Sequence, residues 1–187
     1  MSYFGLIRGF RSSDSTAQPL RLDKSTNTIQ NIEYEHHEIH SGSSFTACYK
    51  AELGNGASAD LLVVTPNTTS WAHMIYKIDV EAEADITVYE APTATPGTAI
   101  TAYNRNRNSA TAATTTVTHT PTEITEGTTI ISSAHIGSGR DVGGGSRGTH
   151  EFVLKQNTKY LYRVTNATTT NNYVSIKLDW YEHTNIA

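Results

Sequence analysis

Residues 45–53 read FTACYKAEL and carry an apolar side chain at every second position. In an extended chain this alternation puts the apolar side chains on one face, which predicts a half-buried β-strand. The same alternation recurs in residues 71–80, WAHMIYKIDV, and in residues 173–182, YVSIKLDWYE. These three stretches predict a β protein in which each strand buries one of its faces.

Shorter strand signals fill the rest of the chain at intervals of roughly ten residues. The additional predicted strands are residues 60–65, 84–90, 129–136, 151–154 and 159–165. About eight short strands at this spacing predict a sandwich or a barrel, and no segment predicts a helix. Residues 104–116 are polar and residues 137–148 are rich in glycine, so we expect both to be exposed connections.

The composition suits strands and turns. Only 37% of the residues are hydrophobic and 17% are charged, and Thr, Ser, Asn and Gly are abundant. A net charge of −4 argues against a nucleic-acid binder, which needs a basic face. No window approaches the roughly 18 apolar residues of a membrane span, and the first residues do not predict a signal peptide. The single cysteine, Cys48, excludes an intramolecular disulfide.

Residues 1–32 are predicted to form an N-terminal arm, and residues 33–187 the body. Short apolar runs in the arm flank a polar turn at residues 24–27 and predict a β-hairpin. A hairpin of this size is not stable alone in water, so it needs a partner surface. Residues 1–24 carry a net charge of +2, whereas the remainder carries −6. The arm is therefore expected to meet an acidic surface.

Residues 33–42, EYEHHEIHSG, join the arm to the body and are the most distinctive stretch of the chain. Read as a strand, they place Tyr34, His36, Glu38 and His40 on one face. One interpretation is a mononuclear zinc site formed by His36, Glu38 and His40, although the His-Glu-x-x-His motif is absent. We favour the other interpretation, a polar strand at a subunit interface, in which these residues and His37 form hydrogen bonds between chains.

No spacing of side chains predicts catalysis. Serine, histidine and carboxylate residues are plentiful, but nothing fixes a triad or a carboxylate pair. The glycine-rich stretch 137–148 lacks the Lys-Ser/Thr of a phosphate-binding loop and precedes a predicted strand instead of a helix. We therefore expect no enzymatic activity, no cofactor and no required metal.

Six segments, taken in order, carry a resemblance to a known family. They are Gly5–Phe10, Ile32–Gly42, Leu53–Gly56, Thr65–Met74, Leu154–Tyr160 and Leu178–Thr184. Together they resemble a family of small virion proteins that is common in tailed-bacteriophage genomes near the head genes. The resemblance spans nearly the whole chain and is most specific in EYEHHE at residues 33–38 and DWYEH at residues 179–183.

Phage capsid decoration proteins, also called cement proteins, are similar to one another in being β-sandwich homotrimers on local threefold axes. The resemblance therefore implies an all-β, antiparallel, jelly-roll-like sandwich with an extended N-terminal arm. It implies a homotrimer on the capsid surface of a virion, bound to the major capsid protein, with no nucleic acid or membrane partner, after synthesis in the cytoplasm of a host bacterium. The alternative is a head-fibre or host-binding module, whose loops at residues 104–116 and 137–148 contact glycans.

The apolar and basic side chains of the arm are the predicted capsid-binding residues. They are Leu6, Ile7, Arg8, Phe10, Arg11, Leu20, Arg21 and Leu22. This much apolar surface is too large for a free tail and too small for a core of its own, so burial in a groove of the shell is expected.

Overall fold

The computed structural model describes residues 8–10, 17–19, 34–137, 141–143 and 151–184. Within these residues the chain forms one helix and sixteen strands. In chain order they are β1 (Arg8–Phe10), β2 (Ala17–Pro19), α1 (Tyr34–Ser41), β3 (Ser44–Leu53), β4 (Ser58–Val64), β5 (Ser70–Val80), β6 (Ala84–Glu90), β7 (Thr93–Thr95), β8 (Thr98–Ile100), β9 (Tyr103–Asn104), β10 (Thr116–His119), β11 (Thr122–Thr125), β12 (Thr129–Ile136), β13 (Asp141–Gly143), β14 (Phe152–Val153), β15 (Lys159–Asn166) and β16 (Asn172–Thr184).

The body consists of two large antiparallel sheets. Sheet I has the strand order β13-β5-β16-β3-β9, and β14 also pairs with β5. Sheet II has the order β12-β6-β15-β4-β10-β8. In the middle of sheet I the long strand β16 pairs along its length with β3 on one side and β5 on the other. The three stretches with strict alternation, residues 45–53, 71–80 and 173–182, form β3, β5 and β16.

The chain visits the two sheets in the order of a jelly roll. The strands β3, β4, β5 and β6 lie alternately in sheets I and II. The later strands then lie in sheet II (β12), sheet I (β13 and β14), sheet II (β15) and sheet I (β16). Early strands therefore pair with late ones, β3 with β16 and β4 with β15, as two Greek keys require. The predicted antiparallel, jelly-roll-like sandwich is confirmed.

The core between the sheets follows the alternation in the sequence. Phe45 and Ala47 of β3 are buried, whereas Cys48 and Lys50 on the opposite face are exposed. Trp180 is fully buried, and its ring centroid lies 5.8 Å from that of Phe45. Burial of each large apolar side chain stabilises the fold by about 1.5–3 kcal/mol, so the core between the sheets is a major source of stability.

Residues 91–128, which connect β6 to β12, add strands to one edge of each sheet. In sheet II this edge is the one farthest from β12, and in sheet I it is the one farthest from β13. In sheet II β10 pairs with β4, and in sheet I β9 pairs with β3. Strands β7 and β11 form a separate two-stranded ribbon. Lys159 Nζ donates to the Ala94 carbonyl of this ribbon at 2.6 Å. Leu62 and Leu161 lie on the outer face of sheet II but are fully buried, so we infer that the ribbon covers them.

Residues 34–41 form the helix α1, so the prediction of a strand over this stretch is wrong. Gly42 ends the helix in the left-handed conformation, with φ of 79°. The Gly42 N–H donates to the Ile39 carbonyl and the Ser43 N–H to the Glu38 carbonyl, both at 3.1 Å. This pair of bonds is the Schellman motif of a helix C-terminus. A Cβ at residue 42 would lie 2.5 Å from Ser109 Oγ, so both the conformation and the space require glycine.

Within the arm the structure describes β1 and β2, which pair with each other, with Gly9 opposite Gln18. Neither of them belongs to a sheet of the body. The hairpin predicted around residues 24–27 lies outside the described residues. In the part of the chain that is described, no helix has the length and apolar character needed to cross a membrane.

Candidate binding site at the arm end of the sandwich

The arm leads into α1 at the end of the sandwich where β3 begins and β16 ends. We call this region, formed by α1, residues 104–115 and residues 180–184, the arm end. Here the Glu182 N–H donates to the Ser43 carbonyl at 2.9 Å, and Ser44 Oγ donates to the Trp180 carbonyl at 3.4 Å. The two most specific segments of the sequence, EYEHHE and DWYEH, are therefore neighbours in the fold.

Glu38 faces the body and is only 5% exposed. Its carboxylate accepts a short hydrogen bond from the Ser43 hydroxyl, and its carbonyl accepts one from Ser41 Oγ at 2.9 Å. A buried carboxylate requires such donors, since burying a charge without them is costly. Glu38 therefore fastens the helix end and does not share a face with His36 and His40, so the three-residue zinc site considered above does not form.

Residues 104–106 hold α1 against the body. Buried Asn104 donates from Nδ2 to the Gly42 carbonyl at 2.7 Å. Arg105 Nη1 donates to Glu35 Oε1 at 2.5 Å, and Asn106 Nδ2 donates to the His40 carbonyl at 3.2 Å. This connection was expected to be an exposed loop, yet it binds the helix at both ends.

Glu182 holds residues 114 and 115 in the same way. Its carboxylate accepts from the N–H groups of Thr114 at 3.0 Å and Thr115 at 2.8 Å. Thr114 Oγ1 and Trp180 Nε1 donate to it as well. Burial acts to raise the pKa of Glu182, but these hydrogen bonds outweigh burial and leave the pKa below its ordinary value. The charged carboxylate therefore has a structural role, and both of its oxygens accept hydrogen bonds.

Three histidines of α1 are exposed. The Nε2 atoms of His36 and His40 lie 2.8 Å apart, and their ring centroids are separated by 4.7 Å. His37 points elsewhere, with Nδ1 3.3 Å from Glu38 Oε1 and 65% of its side chain exposed. The helix thus presents imidazole groups to the solvent while its carboxylates face inward or pair with arginine.

Tyr103 of β9 and Arg107, which follows this strand, lie near α1. Tyr103 is 53% exposed, and the Arg107 guanidinium carbon lies 5.2 Å from the centre of its ring. This distance allows a cation–π interaction. Tyrosine and arginine are enriched where protein interfaces contribute most of their binding energy, so this pair extends the candidate binding surface beyond α1.

A second aromatic cluster lies on the outer face of sheet I, also at this end. His73 stacks on Tyr181 with ring centroids 4.6 Å apart and on His183 at 4.7 Å. Glu151 Oε1 lies 2.7 Å from His73 Nδ1 and accepts a bond of 2.8 Å from Tyr181 Oη. The tyrosine and histidine of DWYEH therefore support the outer face of β16.

The opposite end of sheet I carries a cleft of about 550 Å³. Its walls include Glu52, Asp79 and Glu81, and its rim carries Tyr173, which is 58% exposed. β16 runs from this cleft to the arm end. The molecule therefore has two distinct ends, and α1, which follows the arm in the sequence, lies at the end opposite the cleft.

The glycine-rich stretch contains Gly144-Gly145-Ser146-Arg147-Gly148, which matches Gly-x-Ser-x-Gly. In a hydrolase this serine sits on a turn from a strand into a helix. Here residues 144–150 lie outside the described residues, and the next element that the structure describes is the strand β14, not a helix. The motif match does not predict a nucleophile.

The predicted site residues fall into two groups. Tyr34, His36, His37, Glu38 and His40 are together on α1, and their role at a subunit interface stays a prediction. Arg8 and Phe10 lie on β1, whereas Leu6, Ile7, Arg11, Leu20, Arg21 and Leu22 lie outside the described residues. Sequence reasoning missed Asn104, Arg105 and Glu182, whose importance comes from partners distant in the sequence.

Among the residues that the structure describes, no three His, Cys, Asp or Glu side chains are grouped closely enough to hold a metal ion. Comparison with known proteins adds no relative, because no family model, no curated protein and no solved structure matches the chain.

Proposed function

We propose that this chain is a non-enzymatic structural protein of a tailed-bacteriophage particle, a decoration protein that binds the outside of the capsid as a homotrimer. The observation that carries the proposal is the construction of the arm end. There the arm joins a helix that Asn104, Arg105 and Asn106 fasten to a rigid sandwich. Such a junction suits a protein whose body is held by an arm at a fixed orientation.

The arm supports a role in binding the shell. It is basic and contains apolar side chains, including Leu6, Ile7 and Phe10. In its described part β1 pairs with β2 and neither joins the sheets of the body. The described strands of the arm therefore add nothing to the sheets of the body, and we propose that the major capsid protein supplies the groove that buries the apolar side chains of the arm.

The trimeric state is supported by the exposed surface beside the arm. His37 of α1 and the pair of Tyr103 and Arg107 are polar and aromatic groups that suit contacts between copies. Three linked arms bind three shell subunits at once, so weak contacts combine through their effective concentration. Closed cyclic symmetry also prevents the protein from polymerising by itself.

The absence of catalysis is supported by how the carboxylates at the arm end are used. Glu35 binds Arg105, Glu38 binds Ser43, and Glu182 binds Thr114 and Thr115. A general acid or base needs a carboxyl group that can reach a substrate. These groups are occupied in holding the helix and its neighbouring loop.

The experiment that tests the proposal is an image reconstruction of intact particles that contain this chain. Decoration predicts density for the sandwich on the capsid surface, in groups of three around local threefold axes, with the arm directed to the shell. Single copies at a portal or fibre, or complete absence from the particle, would contradict it.

A second candidate function, host-glycan binding, is favoured by the cleft at the end opposite the arm. The exposed ring of Tyr173 beside Glu52 and Glu81 offers an apolar platform with hydrogen-bond acceptors, as sugars require. The substitution Tyr173→Ala distinguishes the two functions. Decoration predicts unchanged adsorption of particles to host cells, whereas a host-binding module predicts a loss of at least about tenfold, the equivalent of 1.4 kcal/mol.

A further inference from the structure

Two histidines of α1 form a pair whose chemistry goes beyond the predicted subunit contact. His36 and His40 are exposed, and their Nε2 atoms lie 2.8 Å apart. Positions i and i+4 of a helix lie on one face, which is how zinc-binding helices present two histidines to one ion. We propose that His36 and His40 chelate one divalent first-row transition-metal ion, and that Cu²⁺ binds most tightly.

The two nitrogens already contact each other in the metal-free chain. Their separation of 2.8 Å is that of a hydrogen bond between one protonated and one unprotonated Nε2. Both nitrogens must be unprotonated to bind a metal, so chelation replaces this hydrogen bond with two metal–nitrogen bonds of about 2.0–2.1 Å. The contact places both rings within reach of one Cu²⁺ ion without a change in the helix.

The chemistry of the donors points to the same ion. Imidazole suits copper, nickel and zinc, and affinities for divalent ions rise to a maximum at Cu²⁺. In the described part of the chain no third His, Cys, Asp or Glu side chain completes the set. The described residues therefore offer two protein ligands to one ion, and we expect water to fill its remaining positions.

The fold holds the pair in place before a metal binds. The Arg105–Glu35 hydrogen bond of 2.5 Å fixes the start of α1. Asn106 Nδ2 fixes its end through the His40 carbonyl at 3.2 Å. Binding therefore does not have to order the backbone, which would otherwise reduce the affinity.

The test is a Cu²⁺ titration of the full chain, followed by electron paramagnetic resonance. The wild type should bind one Cu²⁺ per chain, with the spectrum of a tetragonal ion that has two imidazole nitrogens. Loss of a partner that only supports a ligand weakens metal sites by 10–100-fold. His36→Gln and His40→Gln, which each remove a ligand, should therefore weaken binding at least about tenfold.

His37→Gln is the matched control, because His37 is exposed on the same helix but points towards Glu38. It should change Cu²⁺ affinity by less than about twofold, because His37 is not a ligand of the proposed site. All three variants should unfold at the wild-type temperature without copper. Cu²⁺ binding that the double variant of His36 and His40 retains, equal losses in His37→Gln, or tighter binding of Zn²⁺ than of Cu²⁺ would each overturn the proposal.

Discussion

Asn104 Nδ2 donates to the Gly42 carbonyl at 2.7 Å and to the Thr111 carbonyl at 3.0 Å. One buried side chain thus joins the end of α1 to the connection after β9. Its Oδ1 atom accepts from the Asn106 N–H at 2.9 Å, so the side chain also shapes the turn that follows. Contacts of this kind, between residues far apart in the sequence, hold the arm end together.

The substitution Gly42→Ala should destabilise the protein. It places a Cβ at a φ of 79° and 2.5 Å from Ser109 Oγ. A left-handed non-glycine residue costs about 1–3 kcal/mol, and the overlap adds to that cost. Chemical denaturation should show a decrease of at least about 1 kcal/mol in the free energy of unfolding.

Gly54→Ala is its control, because a Cβ at that position meets no atom within 4 Å. It should change the free energy of unfolding by less than about 0.5 kcal/mol. Equal effects of the two substitutions would show that the Schellman ending of α1 is not a constraint on the fold.

Glu182→Gln should remove a pH-dependent contribution to stability. The folded pKa of Glu182 lies below its ordinary value of 4.5, because hydrogen bonds from Thr114, Thr115 and Trp180 outweigh burial. A carboxyl group whose pKa is lowered by folding stabilises the fold at pH values above its ordinary pKa. This contribution disappears as the pH falls through the folded pKa. At pH 7 the variant should lose about 1.5–3 kcal/mol, as expected for hydrogen bonds to a charged group.

The measurement is denaturation of the wild type and of Glu182→Gln at pH 7 and at several pH values below 4.5. The difference between the two proteins should shrink as the pH falls. Glu83→Gln, an exposed carboxylate on the same body, should have little effect at any pH. A difference for Glu182→Gln that does not change with pH would contradict the assignment of the charge.

The purified chain should be a homotrimer. Mass photometry should give a species of three times 20.4 kDa. A purely monomeric protein at micromolar concentration would contradict the proposed trimer. In that case the polar and aromatic groups beside α1 would have to contact another kind of partner.

The sequence was sufficient to predict the sandwich but not its arm end. Alternation in residues 45–53 and 173–182 predicted strands correctly, because each buries one face in a core that apolar side chains define. Residues 34–41 were interpreted as a strand because an extended chain places Tyr34, His36, Glu38 and His40 on one face. A helix of eight residues is too short to show its own period, and tertiary contacts stabilise it. Gly42, two residues after His40, was the signal that could have identified the end of this helix.

The role of residues 104–115 could not be predicted from the sequence. Asn104, Arg105 and Thr114 belong to a polar tract without apolar periodicity, and their partners lie 62 to 70 residues away. Nothing local distinguishes such a tract from an exposed loop. The arm residues predicted to bind the shell stay a prediction.

Apolar side chains of the arm should matter more than basic ones for capsid binding. An exposed ion pair contributes about 0–1 kcal/mol, whereas burial of a leucine contributes about 1.5–3 kcal/mol. Leu6→Asp should therefore weaken binding to empty capsids more than Arg11→Ala, as measured by co-sedimentation at fixed salt. The reverse order would indicate that charge attraction, and not burial, holds the arm.

The most direct test of capsid decoration compares the full chain with a truncated chain that begins at Ile32. The truncated chain keeps every strand from β3 to β16 and should unfold cooperatively with a β-rich circular dichroism spectrum. Both proteins are mixed with empty capsids, and the bound fraction is measured by co-sedimentation. Decoration through the arm predicts that the full chain binds in multiples of three and that the folded truncated chain does not bind. Equal binding of the two proteins, or no binding by the full chain, would contradict it.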